Sequence, residues 1–283
     1  MPYTHLLLRE GELFLKGKNQ RIFEQKLVGN LKMILREVKE VTGVRKLRGR
    51  LVLPYFSSHQ MLKRVFGIVS YSPVVNVKKD VDIIKQQGLE LFKEANNREN
   101  PGQKKTFKVQ SKRSDKSFPT NSLELNRIVG RHIEENSTFV FNSKEEKNIL
   151  YLEINQDGAY LFTDVFPCFG GLPTGVEGKV ALIVEDEKSI LAGILMMKRG
   201  CGLRAYSLEK RDISLLQQFD LELKLVVSKN ISDIPEEIVV TGKTFNGQKN
   251  NLVDVLPTKV FLSPLIAYSP QDVEREMKKY AGV

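Results

Sequence analysis

Two cysteines and three histidines are all the thiol and imidazole chemistry that these 283 residues carry. Cys168 and Cys201 are too few for a disulfide-stapled fold and fit a reducing cytosol. His5, His59 and His132 are dispersed, and no Cys or acid cluster has metal-ligand spacing, so no metal site is expected. His132 falls on the apolar face of its expected helix and reads as a core residue. No apolar run is longer than a few residues, which leaves no candidate for a transmembrane helix. The opening MPYTHLLLREGE has no basic flank, no long apolar region and no small-residue cleavage site, so a cytoplasmic rather than a secreted product is expected. Internal repeats and low-complexity tracts are also absent. What remains is an ordinary globular composition, 41% hydrophobic and 28% charged, in a chain long enough for two or three domains.

Charge is the first positive signal. The net charge is +10, and residues 1–175 carry 29 Lys and Arg against 19 Asp and Glu, whereas residues 176–283 hold 15 of each. The whole excess therefore sits in the first part of the chain, which points to a polyanionic partner there, nucleic acid before others.

Patterning divides the chain. A strand is expected over Tyr3–Arg9 and a helix over 19–41, where Ile22, Phe23, Leu27, Leu31, Ile34 and Val38 recur at helical spacing before Gly43. VRKLRGRLVL alternates, with Leu47, Gly49, Leu51 and Leu53 on one face and Lys46, Arg48 and Arg50 on the other. A short helix and the strand IVSYSPVVNVK complete a β-α-β-α-β unit, an α+β ferredoxin-like domain over residues 1–77. A second unit, residues 78–166, has a helix near Val81–Glu94, the strand TFKVQS, the helix NSLELNRIVGRHI and two strands in ILYLEIN and AYLFTDVF. PCFGGLPTGVEG, residues 167–178, holds four Gly and two Pro and is read as a linker or functional loop. Beyond it, VALIV, LKLVV and EIVV are near-continuous apolar strands of a buried parallel sheet, so residues 179–283 form an α/β unit.

TFKVQSKRSDKSFPTNSLELNRIVGRHI is the most informative basic stretch. Lys108, Gln110 and Lys112 face away from Phe107 and Val109. Lys112, Arg113 and Lys116 lead into a loop, and Asn121 with Glu124 resembles a capping box. Leu125, Ile128, Val129 and Ile133 mark the buried helix face, leaving Arg127 and Arg131 exposed together. These cations are expected to share one surface that meets successive phosphates.

SKRSDKSFPTNSLELNRIVGRHI closely resembles the signature of the THUMP domain, an RNA-binding module of tRNA-modifying enzymes. LLLREGELFLKGKNQRIFEQKL resembles the start of the tRNA 4-thiouridine synthetases, or tRNA sulfurtransferases. GGLPTGVEGKVALIV, LMMKRGC, IVVTGKTFNGQ and LSPLIAYSPQDVEREMKKYAG match that family in the same order along nearly the whole chain. The resemblance implies tRNA as partner, a THUMP domain at 78–166 and a reduced PP-loop α/β domain at 179–283. In that family the PP-loop domain adenylates a uridine with ATP, and a persulfide cysteine delivers sulfur. Family members often pair, so a homodimer is implied.

The PP-loop signature itself departs. Its Ser-Gly-Gly-x-Asp-Ser positions fall, in register with LMMKRGC, on Val184, Glu185, Asp186, Glu187, Lys188 and Ser189. Only Ser189 agrees. Small residues in that loop let backbone N–H groups reach a pyrophosphate at a helix N-terminus. At ~5 Å and an effective dielectric of ~20, each carboxylate–phosphate pair instead costs roughly 3 kcal/mol. Acids at a helix start stabilise it by roughly 0.3–1 kcal/mol each, so Asp186 and Glu187 are read as stand-ins for a phosphate. Thr241 and Gly242, in VTGKTFNGQ, match a segment near the family's nucleotide pocket and are read as a strand-to-helix turn. Cys201 is read as structural, and Cys168 as the one thiol to test.

The first expectation is thus a tRNA-binding relative of the thiouridine synthetases without catalysis or cofactor, presenting tRNA to a separate modifying enzyme or sulfur donor. An alternative is an ATP- and Mg²⁺-dependent sulfurtransferase with a divergent phosphate site. A third is an assembly scaffold in which RNA binding is incidental.

Overall fold

Short strands of alternating burial, more than long helices, carry the first half of the chain. The computed structural model describes residues 3–11, 19–38, 43–47, 49–96, 105–228, 234–245 and 257–282. Two units emerge, one of Met1–Leu8, Arg45–Phe56 and Tyr71–Phe166, the other of Arg9–Val44, Ser57–Ser70 and Pro167–Val283. Strand β1 (His5–Glu10) is followed by helix α1 (Gln20–Leu35), which belongs to the second unit. The first unit continues with β2 (Arg45–Leu47), β3 (Arg50–Pro54), β4 (Ile68–Val77), helix α2 (Val81–Asn96), β5 (Thr106–Arg113), helix α3 (Ser122–Glu135), β6 (Val140–Phe141), β7 (Ile149–Asn155) and β8 (Gly158–Phe162). The spatial order is β2-β3-β1-β4-β8-β7-β5-β6, and the short β9 (Phe166–Pro167) lies beside β4.

Two departures from the sequence reading have simple causes. The alternating VRKLRGRLVL is a hairpin, not one strand: Gly49 at φ 68° reverses the chain, and Lys46 pairs with Leu51 and Leu47 with Arg50. Facing residues of an antiparallel pair share a side, so Lys46 and Arg50 fall on opposite faces. Arg48 lies outside the described residues. In α1, Phe23, Leu27, Leu31 and Ile34 are buried as their spacing predicts, but Ile22 is 57% exposed and the helix ends at Leu35.

Helices α2 and α3 cover one face of the first sheet. Leu125, Val129 and Ile133 of α3 join Ile84 and Phe92 of α2 on Phe107, Val109, Leu150 and Leu152. Asn121 caps α3 by accepting the Glu124 N–H at 2.9 Å, a contact of about 1 kcal/mol. The other face carries Tyr160 and a stacked Tyr151–Phe162 pair 5.0 Å apart.

The second unit holds β10 (Lys179–Ile183), α4 (Glu187–Lys198), β11 (Gly202–Ser207), α5 (Ser214–Gln217), β12 (Leu225–Val227), β13 (Ile238–Val240), β14 (Val260–Leu262) and α6 (Pro270–Ala281). Its strands run β12-β11-β10-β13-β14, and every described pair is parallel. The chain leaves β10 toward β11 and β12, then returns to β13 on the opposite side. Between β10 and β13 lies the switch point at which α/β sheets bind ligands.

The glycine-rich stretch 167–178 lies within the second unit and is firmly bonded. The Gly67 N–H donates to Gly170 O at 2.8 Å, Leu172 N–H to Lys198 O at 2.9 Å and Glu177 N–H to Gly200 O at 3.0 Å. Gly170, Gly171, Gly175 and Gly178 all have φ between 64° and 92°. At Gly171 a Cβ would lie 2.3 Å from the Lys198 carbonyl oxygen, whereas at Gly178 it would meet nothing within 4 Å. Gly171→Ala is therefore expected to lower stability by more than about 2 kcal/mol, and Gly178→Ala by about 1 kcal/mol from its backbone angle alone. Urea unfolding midpoints of the two variants measure the difference.

Candidate functional site

Period-two alternation along β5 buries Phe107 and Val109 against the helices and leaves Lys108, Gln110 and Lys112 on the open face. Helix α3 turns its apolar stripe to the same sheet from the other side, so exposed Arg127 and Arg131 point away from it there. The cations of strand and helix therefore do not share one surface. They lie on opposite sides of the sheet, with exposed Lys116 in the connecting loop. The two segments are nonetheless tied, because Asn126 Oδ1 of α3 accepts the Ser111 N–H of β5 at 2.8 Å.

The basic residues also differ in what they hold. Arg50 is forked onto Glu153, with Nε 3.1 Å and Nη2 3.3 Å from its two oxygens, and both side chains are largely buried. Arg113 donates to the carbonyls of Phe118 and Thr120 at 2.6 and 3.3 Å, which shapes the loop that carries Lys116. Asp115 anchors that loop from within, paired to Lys79 at 2.6 Å, and this ammonium together with Ser117 holds its carboxyl down at about 2. Lys108, Lys112, Lys116, Arg127 and Arg131 have no carboxylate partner among the described residues. A groove of about 490 Å³ on the open face is lined by Lys46, Arg50, Lys112, Ser114 and Glu153. Glu153, 103 residues from Arg50, escaped the sequence reading because no local spacing connects them.

At the switch point of the second unit, Asp186 is the N-cap of α4 and Ser189 completes a capping box. The Ser189 N–H donates to Asp186 Oδ1 at 2.9 Å. Ser189 Oγ accepts the N–H groups of Glu185 and Asp186, each at 3.1 Å, and donates to the Asp186 carbonyl. Glu185, Glu187 and Lys188 are exposed. The Gly242 backbone presses on this turn so closely that a Cβ there would stand 2.3 Å from Ser189 N. Buried Thr241 donates its N–H to Leu262 O at 3.0 Å, and its hydroxyl lies 3.2 Å from Ser263 Oγ. Residues 246–256, where a helix after this turn was expected, lie outside the described residues. Thr241, Gly242 and 185–189 are thus brought together, and the Ser189 amide of the first turn is bonded to the chain itself.

The thiols are poor nucleophiles. Burial pushes Cys168 up to about 12, only partly offset by the Lys63 ammonium, and burial with nearby Glu177 raises Cys201. Burial lowers His5 and His59, helped by Arg45 and Lys63 respectively. No group of three or more His, Cys, Asp or Glu side chains able to hold a metal ion occurs among the described residues. Nor, among them, is any helix long and apolar enough to cross a membrane.

Residues 5–72 match the ThiI ferredoxin-like domain and residues 78–164 the THUMP domain, which defines a THUMP-domain protein built on that ferredoxin-like unit. The chain belongs to the tRNA sulfurtransferase family. It is 39% identical over 207 residues to a probable tRNA sulfurtransferase of Natranaerobius thermophilus, covering 70% of this chain and 50% of that one. It is 32% identical over 253 residues to a probable tRNA sulfurtransferase of Methanocaldococcus jannaschii, covering 82% and 66%. The chain spans about half the length of most of the curated relatives it matches. Among solved structures, PH1313 from Pyrococcus horikoshii superposes with a TM-score of 0.84 at 28% identity, covering 99% of this chain and 100% of that one. A 4-thiouridine synthetase crystallised with RNA and bound ATP shares the fold at a TM-score of 0.82 and 22% identity, covering 98% and 85%.

Removing the Ser189 hydroxyl strands two backbone donors, so Ser189→Ala is expected to lose about 2 kcal/mol. Asp186→Asn keeps the accepting oxygen and stays within about 0.5 kcal/mol of the wild type by the same denaturation assay. For Cys168, a value near 12 leaves a thiolate fraction of about 10⁻⁴ at pH 8. Its alkylation by iodoacetamide is expected to rise roughly tenfold per pH unit up to pH 10 without a plateau, followed by mass spectrometry.

Proposed function

We propose that the chain binds tRNA in the cytoplasm and does not adenylate it. The observation that carries this is the THUMP match over 78–164, in the part of the sequence that holds all of the excess positive charge. Relatives bearing the name tRNA sulfurtransferase support tRNA as the RNA. In this reading the boundaries fall at 77/78, 166/167 and 178/179. Lys108, Lys112 and Lys116 meet phosphates on the open face and its rim and Lys46 from the other face of its hairpin, while Arg50 and Arg113 position the hairpin and loop. Arg127 and Arg131 serve a second line of contact across the sheet.

The absence of adenylation rests on charge and space together. A triphosphate at the start of α4 would meet Glu185 and Asp186 and would have to displace the Gly242 backbone from Ser189. The chemistry then falls to a partner, a separate modifying enzyme or sulfur donor to which a homodimer of this chain presents the tRNA. ATP with Mg²⁺ is not required for binding.

The test combines two titrations. Wild-type protein is expected to bind tRNA with a salt dependence that becomes shallower by about two in Lys112→Gln/Lys116→Gln, with affinity at least ~10-fold lower. Calorimetry with millimolar ATP and Mg²⁺ is expected to give no heat. Wild-type binding that ignores salt, or prefers duplex DNA, overturns the tRNA reading. Micromolar ATP binding that weakens in Ser189→Ala returns the adenylating enzyme to the front.

A further inference from the structure

A second basic site lies in the other unit, at the N-terminal ends of its parallel strands, opposite the end that Gly242 follows. A groove of about 420 Å³ opens there, where β10 begins with Lys179 and β11 with its register partner Gly202, and where Lys224 directly precedes β12. Helix α1 forms one wall through Lys26 and Asn30, and Asp220 and Glu222 line it from the other unit-two segments. With Arg204, four cations thus face two carboxylates.

Pairing sorts these charges further. Arg204 is held by buried Glu236 at 3.0 Å, and Glu222 by Arg36 at 3.4 Å. Asp220 is engaged with the Glu222 N–H at 3.2 Å. Lys26, Lys179 and Lys224 are exposed and have no carboxylate partner among the described residues. Three ammonium groups without an ion-pair partner, and the Asp220 carboxylate, therefore border one groove.

The backbone is shaped around them. Asn30 Nδ2 donates to Thr174 O at 2.9 Å and holds α1 on the glycine loop. At Gly175, φ 83°, a Cβ would stand 2.8 Å from Lys26 Cε and 2.9 Å from its Nζ, and at Gly202 it would stand 3.3 Å from Lys179 Cγ. The missing side chains at 175 and 202 leave room for both lysines beside the floor of the groove.

We propose that this groove binds the phosphodiester backbone of the same tRNA, which rests on the tRNA reading above and carries it into the second unit. Lysine ammonium groups are point charges that hold a phosphate without reading a base. No aromatic ring is presented for stacking, since Phe219 of the lining is buried. Among the described residues of the lining no helix N-terminus supplies a cradle of amides for a free phosphate either, because α4 starts at the C-terminal end of β10. An open strip of lysines with neither feature matches a polymer backbone passing across it.

The test is tRNA binding by the full chain as a function of salt, using Lys26→Gln/Lys179→Gln/Lys224→Gln. The slope of log affinity against log salt is expected to be shallower by two to three, with affinity at least ~10-fold lower at 100 mM salt. The triple Lys→Arg variant keeps the charge and is expected to retain both. Inorganic phosphate is expected to compete no better than chloride at equal ionic strength. An unchanged slope in the Gln variant, while Lys112→Gln/Lys116→Gln still shows its own loss, overturns this groove and leaves the tRNA reading standing. Displacement of tRNA by millimolar phosphate beyond the ionic-strength effect overturns the assignment to a polymer backbone. Absence of salt-dependent tRNA binding by the wild type overturns both readings together.

Discussion

The second unit depends on four aromatic rings that meet from four distant segments. Phe66 stacks on Phe219 at 5.0 Å with 9° between the planes, and Phe169 lies 4.6 Å from Tyr280. Tyr280 also meets Phe219 edge-on at 5.9 Å. Such pairs add about 0.5–1.5 kcal/mol each beyond the area they bury. Phe169 reaches this cluster just ahead of Gly170 and Gly171, whose left-handed angles turn the chain toward α4. The glycine stretch is therefore a bracket rather than a tether.

Much of this could be read from one-dimensional patterns. The 3.6-residue recurrence of Leu125, Val129 and Ile133 and the cap at Asn121 specify α3 as it is found. The apolar runs of β10, β12 and β13 announce a parallel sheet, buried along β10 as expected, whereas Val226 and Val227 of β12 are exposed at its edge. The hairpin at Gly49 was hidden because a strand and a tight hairpin share a two-residue period. Strand β11 was hidden because it carries the charged Arg204 in its middle.

The candidate site was less legible, for a geometric reason. A strand and a following helix that pack through their apolar sides must send their polar sides in opposite directions. Lys112 and Arg127, neighbours in sequence, are separated by the thickness of the sheet and the helix on it. Partners such as Glu153 for Arg50 lie 103 residues apart in sequence, with three strands between β3 and β7 in the sheet order, so no local pattern announces them. At the start of α4, by contrast, a local cap is met within three residues: Asp186 accepts the Ser189 amide, while Glu185 and Glu187 are exposed.

The spread of the aromatic cluster along the chain bears on how the molecule is made. Phe66 leaves the ribosome more than two hundred residues before Tyr280, its neighbour's neighbour in the finished core. Helix α1 belongs to the same late-closing unit although it is synthesised near the beginning. Contacts of such long separation form slowly because the intervening chain must first give up its freedom. Throughout translation of the intervening domain, the nascent chain thus exposes a phenylalanine whose ring partners, Phe169 and Phe219, are made more than one hundred residues later.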